Sequence, residues 1–221
     1  MTRKIGLIPG TGKQSKGIAL RLAMAGHSVR LGSRTKDKAL KIAKELNEII
    51  PEADFVGDAN EEIAKTCDVL FFVVPYQYMV ETVENLKQYM QPNTIVVDVI
   101  VPLIFQNGFA CCLEDVPESS ASEHLQSILP DGVSVVGAFK TISASKLNKI
   151  TKPLDVDLFL TGNNSEAKRE IKDILANVDG LRVLDAGPLL FSRTTEQMTA
   201  LVINLNKLNK IKHGSFRIVS G

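Results

Sequence analysis

The sequence predicts an α/β fold built on a doubly wound parallel sheet, and three observations carry that expectation. Residues 5–34 read as strand, glycine turn, helix and second strand. Short apolar runs then alternate with helical patterns as far as Val99. One of those runs, Asp68-Val69-Leu70-Phe71-Phe72-Val73-Val74, is apolar along almost its whole length, as a strand covered by helices on both faces must be.

Ile5-Gly6-Leu7-Ile8 is the first strand and Pro9-Gly10-Thr11-Gly12 the turn, behind which Ile18, Leu20, Leu22 and Ala23 fall at helical spacing. Ser28-Val29-Arg30-Leu31-Gly32 is the second strand. The spacing predicts a helix over 38–50, with Leu40, Ala43, Leu46, Ile49 and Ile50 inward and Lys36, Lys38, Lys41 and Lys44 on polar positions. Residues 53–57 read as a third strand and Asp58-Ala59-Asn60-Glu61 as a helix start. The apolar fourth strand stops at Pro75, a helix is expected over 76–90, and Thr94-Ile95-Val96-Val97-Asp98-Val99 returns as the fifth strand.

Order weakens over 102–130, where Ser119-Ser120-Ala121-Ser122 precedes a helix containing His124, Leu125 and Ile128. Gly132-Val133-Ser134-Val135-Val136-Gly137 is a further strand. Residues 157–162 are strand-like, 166–178 amphipathic, and 180–187 a strand ending in a turn. A last helix is expected over 188–207, with Met198, Leu201, Val202, Leu205 and Leu208 as a core stripe. The division expected is a nucleotide-binding domain over 1–138 and a smaller C-terminal α/β portion over 139–221.

A net charge of +1 gives no electrostatic footprint for nucleic acid. No apolar run approaches the roughly 20 residues that span a bilayer, and Met1-Thr2-Arg3-Lys4 leads directly into a strand, so a cytoplasmic protein without membrane contact is expected. Cys67, Cys111 and Cys112 have no metal-ligand spacing, and an odd count argues against a disulfide framework.

The turn carries the chemistry. Gly10 is expected to permit a tight turn and Gly12 to let the backbone approach a pyrophosphate, whose charge is favoured by the amides of the following helix. Ser15 stands at the third fingerprint glycine. Binders of NAD usually place a carboxylate on the ribose about twenty residues further on; here the tip of the second strand is Ser33-Arg34. A carboxylate repels a 2′-phosphate, whereas a hydroxyl and a guanidinium bond it, so the reading is a Rossmann-type site for NADP. Lys38 lies in the next helix turn beside that phosphate. A Walker A loop is excluded, because Lys16 is followed by Gly17 where that motif needs Ser or Thr.

Further segments extend the pattern: residues 17–26 with Leu20-Arg21-Leu22-Ala23, Gly32-Ser33-Arg34, Cys67-Asp68, Pro75-Tyr76, Asp179-Gly180-Leu181-Arg182, and Asp185-Ala186-Gly187-Pro188-Leu189 through Ser192-Arg193. With the glycine turn they resemble the coenzyme F420-dependent NADP oxidoreductases over nearly the full length. The resemblance implies hydride transfer between NADP(H) and the deazaflavin coenzyme F420. It also implies NADP contacts at Thr11, Gly12, Lys13 and Gln14, at Ser33, Arg34 and Lys38, and at Pro75, Tyr76 and Val80, with Arg193 against the deazaflavin. Where the family has His-Thr-x-Pro-Ala, this chain has Lys140-Thr141-Ile142-Ser143-Ala144. Lys140 is then either a cation that balances charge on the second ring or a loop lysine facing solvent, and Ala144 closes the same segment of the cleft. No residue is required as a proton-transfer catalyst, and no metal is implied.

Two other readings fit the residues. One is an NADPH-dependent reductase of a flavin, a metal chelate, or a small carbonyl or imine; a carbonyl reductase needs a proton donor, and His27, His124 and His213 are scattered. The other is a non-catalytic NADP-sensing module. The apolar last helix and the Phe216-Arg217-Ile218-Val219 tail suggest a homodimer.

Overall fold

Strands and helices alternate along the chain. β1 (Ile5–Ile8) is followed by α1 (Lys13–Met24), β2 (Val29–Ser33), α2 (Lys36–Ile49), β3 (Phe55–Ala59), α3 (Asn60–Thr66), β4 (Val69–Phe72), α4 (Met79–Leu86) and β5 (Ile95–Asp98). A hairpin of β6 (Leu103–Gln106) and β7 (Phe109–Cys112), then α5 (Ala121–Ile128), lead to β8 (Ser134–Gly137). The chain continues through α6 (Ala144–Leu147), β9 (Val156–Leu160), α7 (Ser165–Leu175), β10 (Leu181–Asp185) and α8 (Ser192–Asn209). The computed structural model describes residues 3–219; Met1 and Thr2 of the N-terminal lead-in, and Ser220 and Gly221, lie outside the described residues.

Six of the strands form one parallel sheet in the order β3-β2-β1-β4-β5-β8. This is the doubly wound Rossmann-type sheet expected from the sequence. The winding reverses at β1, which pairs with β2 on one side and β4 on the other. Connections leaving a reversal point in opposite directions open a crevice at the carboxyl ends of the strands, where such sheets take their ligands.

β1, β4 and β5 are buried along their whole length because helices cover both faces. Alternation splits their side chains between two cores. Leu7, Leu31 and Phe71 enter one core, and Ile8, Leu70 and Phe72 the other; each such side chain contributes about 1.5–3 kcal/mol by burial. Leu158, Leu160 and Ile171 belong to the first core as well, so packing runs without a break across residue 138. β9 and β10 form a separate parallel pair, joined to the main sheet by a reciprocal bridge in which the amides of Gly137 and Thr161 each donate to the other's carbonyl at 2.9 and 3.1 Å.

Several elements differ from expectation. The helix expected over 76–90 is instead a 3-10 turn (Tyr76–Tyr78), α4, and a second 3-10 turn (Lys87–Tyr89). The stretch after Pro102 holds a hairpin with Asn107 and Gly108 at its tip, both at positive φ. That dipeptide between apolar runs is a strong hairpin signal, and it is legible in the sequence. In α2, Leu40 and Ile49 face solvent while Ala39, Ile42, Ala43 and Leu46 face the core.

The largest correction concerns α8. Leu201, Leu205 and Leu208 are 50%, 39% and 65% exposed, so most of the proposed core stripe lies outside. The inward face is Ser192, Thr195, Glu196, Thr199, Ala200 and Val202, largely polar because it meets buried hydrogen-bonding groups beneath the crevice. The tail folds back on its own chain: Asp157 N donates to Phe216 O at 3.0 Å and Ile218 N to Asp157 Oδ2 at 2.6 Å.

Candidate functional site

Gly10 N donates to Gly32 O at 2.7 Å, pulling the turn against β2. A Cβ at Gly10 would lie 2.7 Å from Leu31 Cβ. Its φ is not among the positive ones, so glycine is needed here for close approach and not, as the sequence had indicated, for the turn conformation. Gly12 caps α1 in an extended conformation (φ −79°, ψ 164°) without any side-chain cap. The nearest atom to a Cβ there would be Ser15 Oγ at 3.7 Å, so nothing crowds the turn at the start of α1. Ser15 is fully buried and donates from Oγ to Pro9 O at 2.6 Å, stitching helix to turn where the fingerprint has glycine.

Beyond the turn, Thr11, Ser33, Arg34 and Lys38 line a cavity of about 650 Å³ that continues past Pro75 to Tyr78. Ser33 is buried, while Arg34 and Lys38 are exposed and make no ion pair among the described residues. Lys36, beside them in sequence, is spent on Asp58 at 3.1 Å. The Ala59 N–H, aided by Lys36, holds the Asp58 carboxyl below its usual range. Two unspent cations therefore remain at the β2 tip.

A second cavity of about 370 Å³ lies on the other side of Pro75 and draws its walls from both portions of the chain. Val74, Ile100, Ile142 and Val202 make it apolar, and Gln14 reaches its edge. Val74 and Pro75 line both cavities, which therefore lie next to each other at the carboxyl edge of the sheet.

The segment after β8 is fixed over the glycine turn from α1. Gln14 Nε2 donates to Ile142 O at 3.0 Å, and Asn148 Nδ2 to Lys13 O at 2.9 Å. α6 docks on Gly17, where a Cβ would meet Leu147 Cβ at 2.5 Å. Arg21, buried in α1, donates to the carbonyls of Leu147 and Lys149 at 3.1 and 2.7 Å, satisfying the end of α6; its burial lowers the guanidinium pKa. Ala144 opens this short helix, behind Ser143 at the cavity wall.

Lys140 does not face solvent. Its Nζ lies 2.7 Å from Asp98 Oδ2, 2.6 Å from Ile100 O and 3.1 Å from Glu196 Oε1, and the three side chains are at most 2% exposed. An ammonium has three donors, and all three are taken. Burial alone would lower its pKa, but Asp98 and Glu196 overcome that and raise it. The reading of Lys140 as a cation offered to a second ring is corrected: the residue borders the cleft, but its ammonium is tied to Asp98, Glu196 and Ile100 O. Thr199 Oγ1 donates to Lys140 O at 2.8 Å, adding a second tie to α8.

Glu196 is held by more than Lys140. Ala121 N donates to its Oε2 at 3.2 Å and Ser122 N to its Oε1 at 3.4 Å. Burial, with Asp98 adding like charge, pushes its carboxyl upward against the pull of Lys140. Asp98 also accepts from Ser122 Oγ at 2.6 Å and Ile100 N at 2.8 Å. Neither acid was singled out in the sequence; the signal was an aspartate ending the buried run Ile95-Val96-Val97.

The structure does not bring Arg193 into the cleft. It is exposed on the first turn of α8, donates to Ser119 O at 3.3 Å, and lines a third cavity with Pro102, Cys112, Glu196 and Gln197. Val80 is 43% exposed and lines neither of the two adjacent cavities. Tyr76 also lies outside them, its hydroxyl 2.9 Å from His124 Nδ1. Burial raises the Tyr76 pKa and lowers that of His124. Cys67 and Cys112 are free thiols pushed up to about 11 by burial, and Cys111 is also free. Among the described residues, no group of three or more His, Cys, Asp or Glu could hold a metal, and no helix is long and apolar enough to cross a membrane.

Comparison with known proteins gives a consistent result. The family model described as NADP oxidoreductase coenzyme F420-dependent matches residues 4–102. The chain is 37% identical to an F420-dependent NADP reductase of Methanocaldococcus jannaschii, over 98% of each chain. It is 35% identical to one of Methanothermobacter marburgensis, again over 98% of each. A solved structure from Arthrobacter sp. FB24 superposes with a TM-score of 0.81 at 24% identity, covering 99% of this chain and 100% of that one, and so shares the fold.

Proposed function

The chain belongs to the family of F420-dependent NADP reductases, and from that premise we infer how its paired cavities serve a hydride transfer between NADP(H) and the deazaflavin coenzyme F420. It is an NADP-dependent oxidoreductase. The observation that carries the site assignment is that the two cavities share Val74 and Pro75 as walls, which sets the Arg34 cavity directly beside the apolar cleft.

The residues present fit both ligands. Gly12 leaves the α1 amides uncapped for a pyrophosphate, with Gly10, Thr11, Lys13 and Gln14 around it. Ser33, Arg34 and Lys38 supply a hydroxyl and two unspent cations for a 2′-phosphate. Val74, Pro75, Ile100, Ile142 and Val202 offer apolar walls to aromatic rings. When bound, the nicotinamide and the deazaflavin supply the hydride chemistry themselves. The protein aligns their faces and excludes water, and no side chain need move a proton in that step. Gln14, by holding Ile142, fixes the wall of the cleft to the turn that binds the pyrophosphate. Residues 1–138 thus carry the NADP site and 139–221 complete the cleft, as a division of task within one packed core.

We further infer a homodimer, supported by the exposed Leu201, Leu205 and Leu208 on α8. A cytoplasmic location with small-molecule partners only is supported by three free thiols and the near-neutral charge.

The test is direct. Purified protein mixed with NADPH and oxidised F420 should bleach the visible absorbance of the deazaflavin, and NADH should do so far more slowly. Absence of bleaching with NADPH at every pH, with nucleotide binding intact, would favour another acceptor or a sensing role.

A further inference from the structure

We propose that Asn60 reads the nucleotide at the adenosine side, hydrogen-bonding the 2′-phosphorylated ribose beside Ser33 and Arg34; this rests on the NADP site assigned above. Asn60 opens α3 directly after Ala59, which pairs with Ser33 across the sheet. That register sets it next to the β2 tip, and it lines the same cavity as Ser33, Arg34 and Lys38.

The usual reason for asparagine at a helix start is capping, and it does not apply. The N-cap of α3 is Ala59, and no side chain caps the helix. The amide lies instead over Gly32, where a Cβ would meet Asn60 Oδ1 at 2.6 Å and Leu7 O at 3.1 Å. Asn60 is only 9% exposed, yet Oδ1 is buried without a hydrogen-bond partner. Buried polar atoms left unpaired are rare in folded proteins and call for a reason. Gly32 closes that oxygen off, so the Nδ2 group, which makes no hydrogen bond among the described residues, is the part of the amide left for a ligand in the cavity. An amide nitrogen carries two donors, so it can give hydrogen bonds to a phosphate oxygen and to a ribose oxygen. Being neutral, it does so without opposing Arg34 and Lys38.

The experiment measures calorimetric binding of adenosine 2′,5′-bisphosphate and of 5′-AMP to the full chain, together with thermal melting of the empty protein. Wild type is compared with Asn60→Ala, Asn60→Asp and Arg34→Ala. We expect Asn60→Ala to weaken the bisphosphate on the order of tenfold, the loss of one hydrogen bond to a charged group, and 5′-AMP by less. Its melting temperature should stay near that of wild type, since the oxygen removed had no partner in the empty protein. Asn60→Asp should weaken the bisphosphate more than Asn60→Ala does. Melting that falls with unchanged affinity, or equal loss for both ligands, would reduce Asn60 to a packing role and overturn the proposal. If Arg34→Ala lowers bisphosphate affinity and neither Asn60 variant does, the proposal alone fails. If Arg34→Ala is also silent, the NADP site itself is misplaced.

Discussion

Lys140 Nζ and Asp98 Oδ2 lie 2.7 Å apart beneath the cleft, with both side chains closed to solvent. Lys140 comes from the segment after β8, Asp98 from the end of β5, and Glu196 on α8 joins them at 3.1 Å. Three elements that shape the cleft are thus fixed by one ammonium. Removing it leaves two carboxylates buried without their cation, which costs about 3–5 kcal/mol. We expect Lys140→Met to melt at markedly lower temperature, and Lys140→Met combined with Asp98→Asn to recover part of the loss. If the double variant is as unstable as the sum of the singles, the pair is not coupled as its geometry indicates.

Glu196 predicts a pH signature of opposite sense to an ordinary ion-paired acid. Its folded-state pKa is raised, first by burial and then by Asp98, against the pull of Lys140. The folded state therefore holds the proton at pH values where the unfolded state has released it. Stability falls as pH rises from the unfolded value, about 4.3, through the folded one. Glu196→Gln removes this titration. Its melting temperature should vary less with pH across that window than that of wild type, and an identical slope in both proteins would assign the dependence to other groups.

Most of the sheet was legible because parallel strands covered on both faces read as short apolar runs, and those runs match β1, β4 and β5. The placement of Ser33 and Arg34 at the β2 tip was legible too, since it follows from the strand's length and its distance from the turn. Lys140 was not, because a lysine in a loop carries no sign of its environment until Asp98 and Glu196, 42 and 56 residues away in sequence, are brought to it. The stripe on α8 misled for a related reason. Helical periodicity shows that one face is apolar but not which way it turns, and here the polar face meets the buried triad.

Arg34 tests nucleotide choice independently of the acceptor. It lines the cavity at the β2 tip and has no acidic partner among the described residues, so its guanidinium is available to a phosphate. Arg34→Ala should weaken NADPH binding by about 1.5–3 kcal/mol, the scale of a charge-assisted hydrogen bond, and leave NADH nearly unchanged. Titration of both nucleotides by protein fluorescence or calorimetry decides it. Equal losses would make Arg34 structural.

The outer face of α8 tests the assembly. Leu201, Leu205 and Leu208 recur along one side of the helix and stay exposed, while Asn204 is held from within by reciprocal bonds to Ala110 N and O at 2.8 and 2.9 Å. Those bonds lock β7 to the helix, where Phe109 is covered in part by Lys207, whose Nζ lies 4.7 Å from its ring centroid. A patch of this kind is stable in water when a second copy covers it. Leu205→Glu places a charge in its middle without touching either cavity. We expect sedimentation equilibrium to show a dimer for the wild type and a monomer for the variant, with the NADPH affinity of the variant retained. A wild-type monomer at micromolar concentration would remove the dimer and leave the stripe as exposed surface.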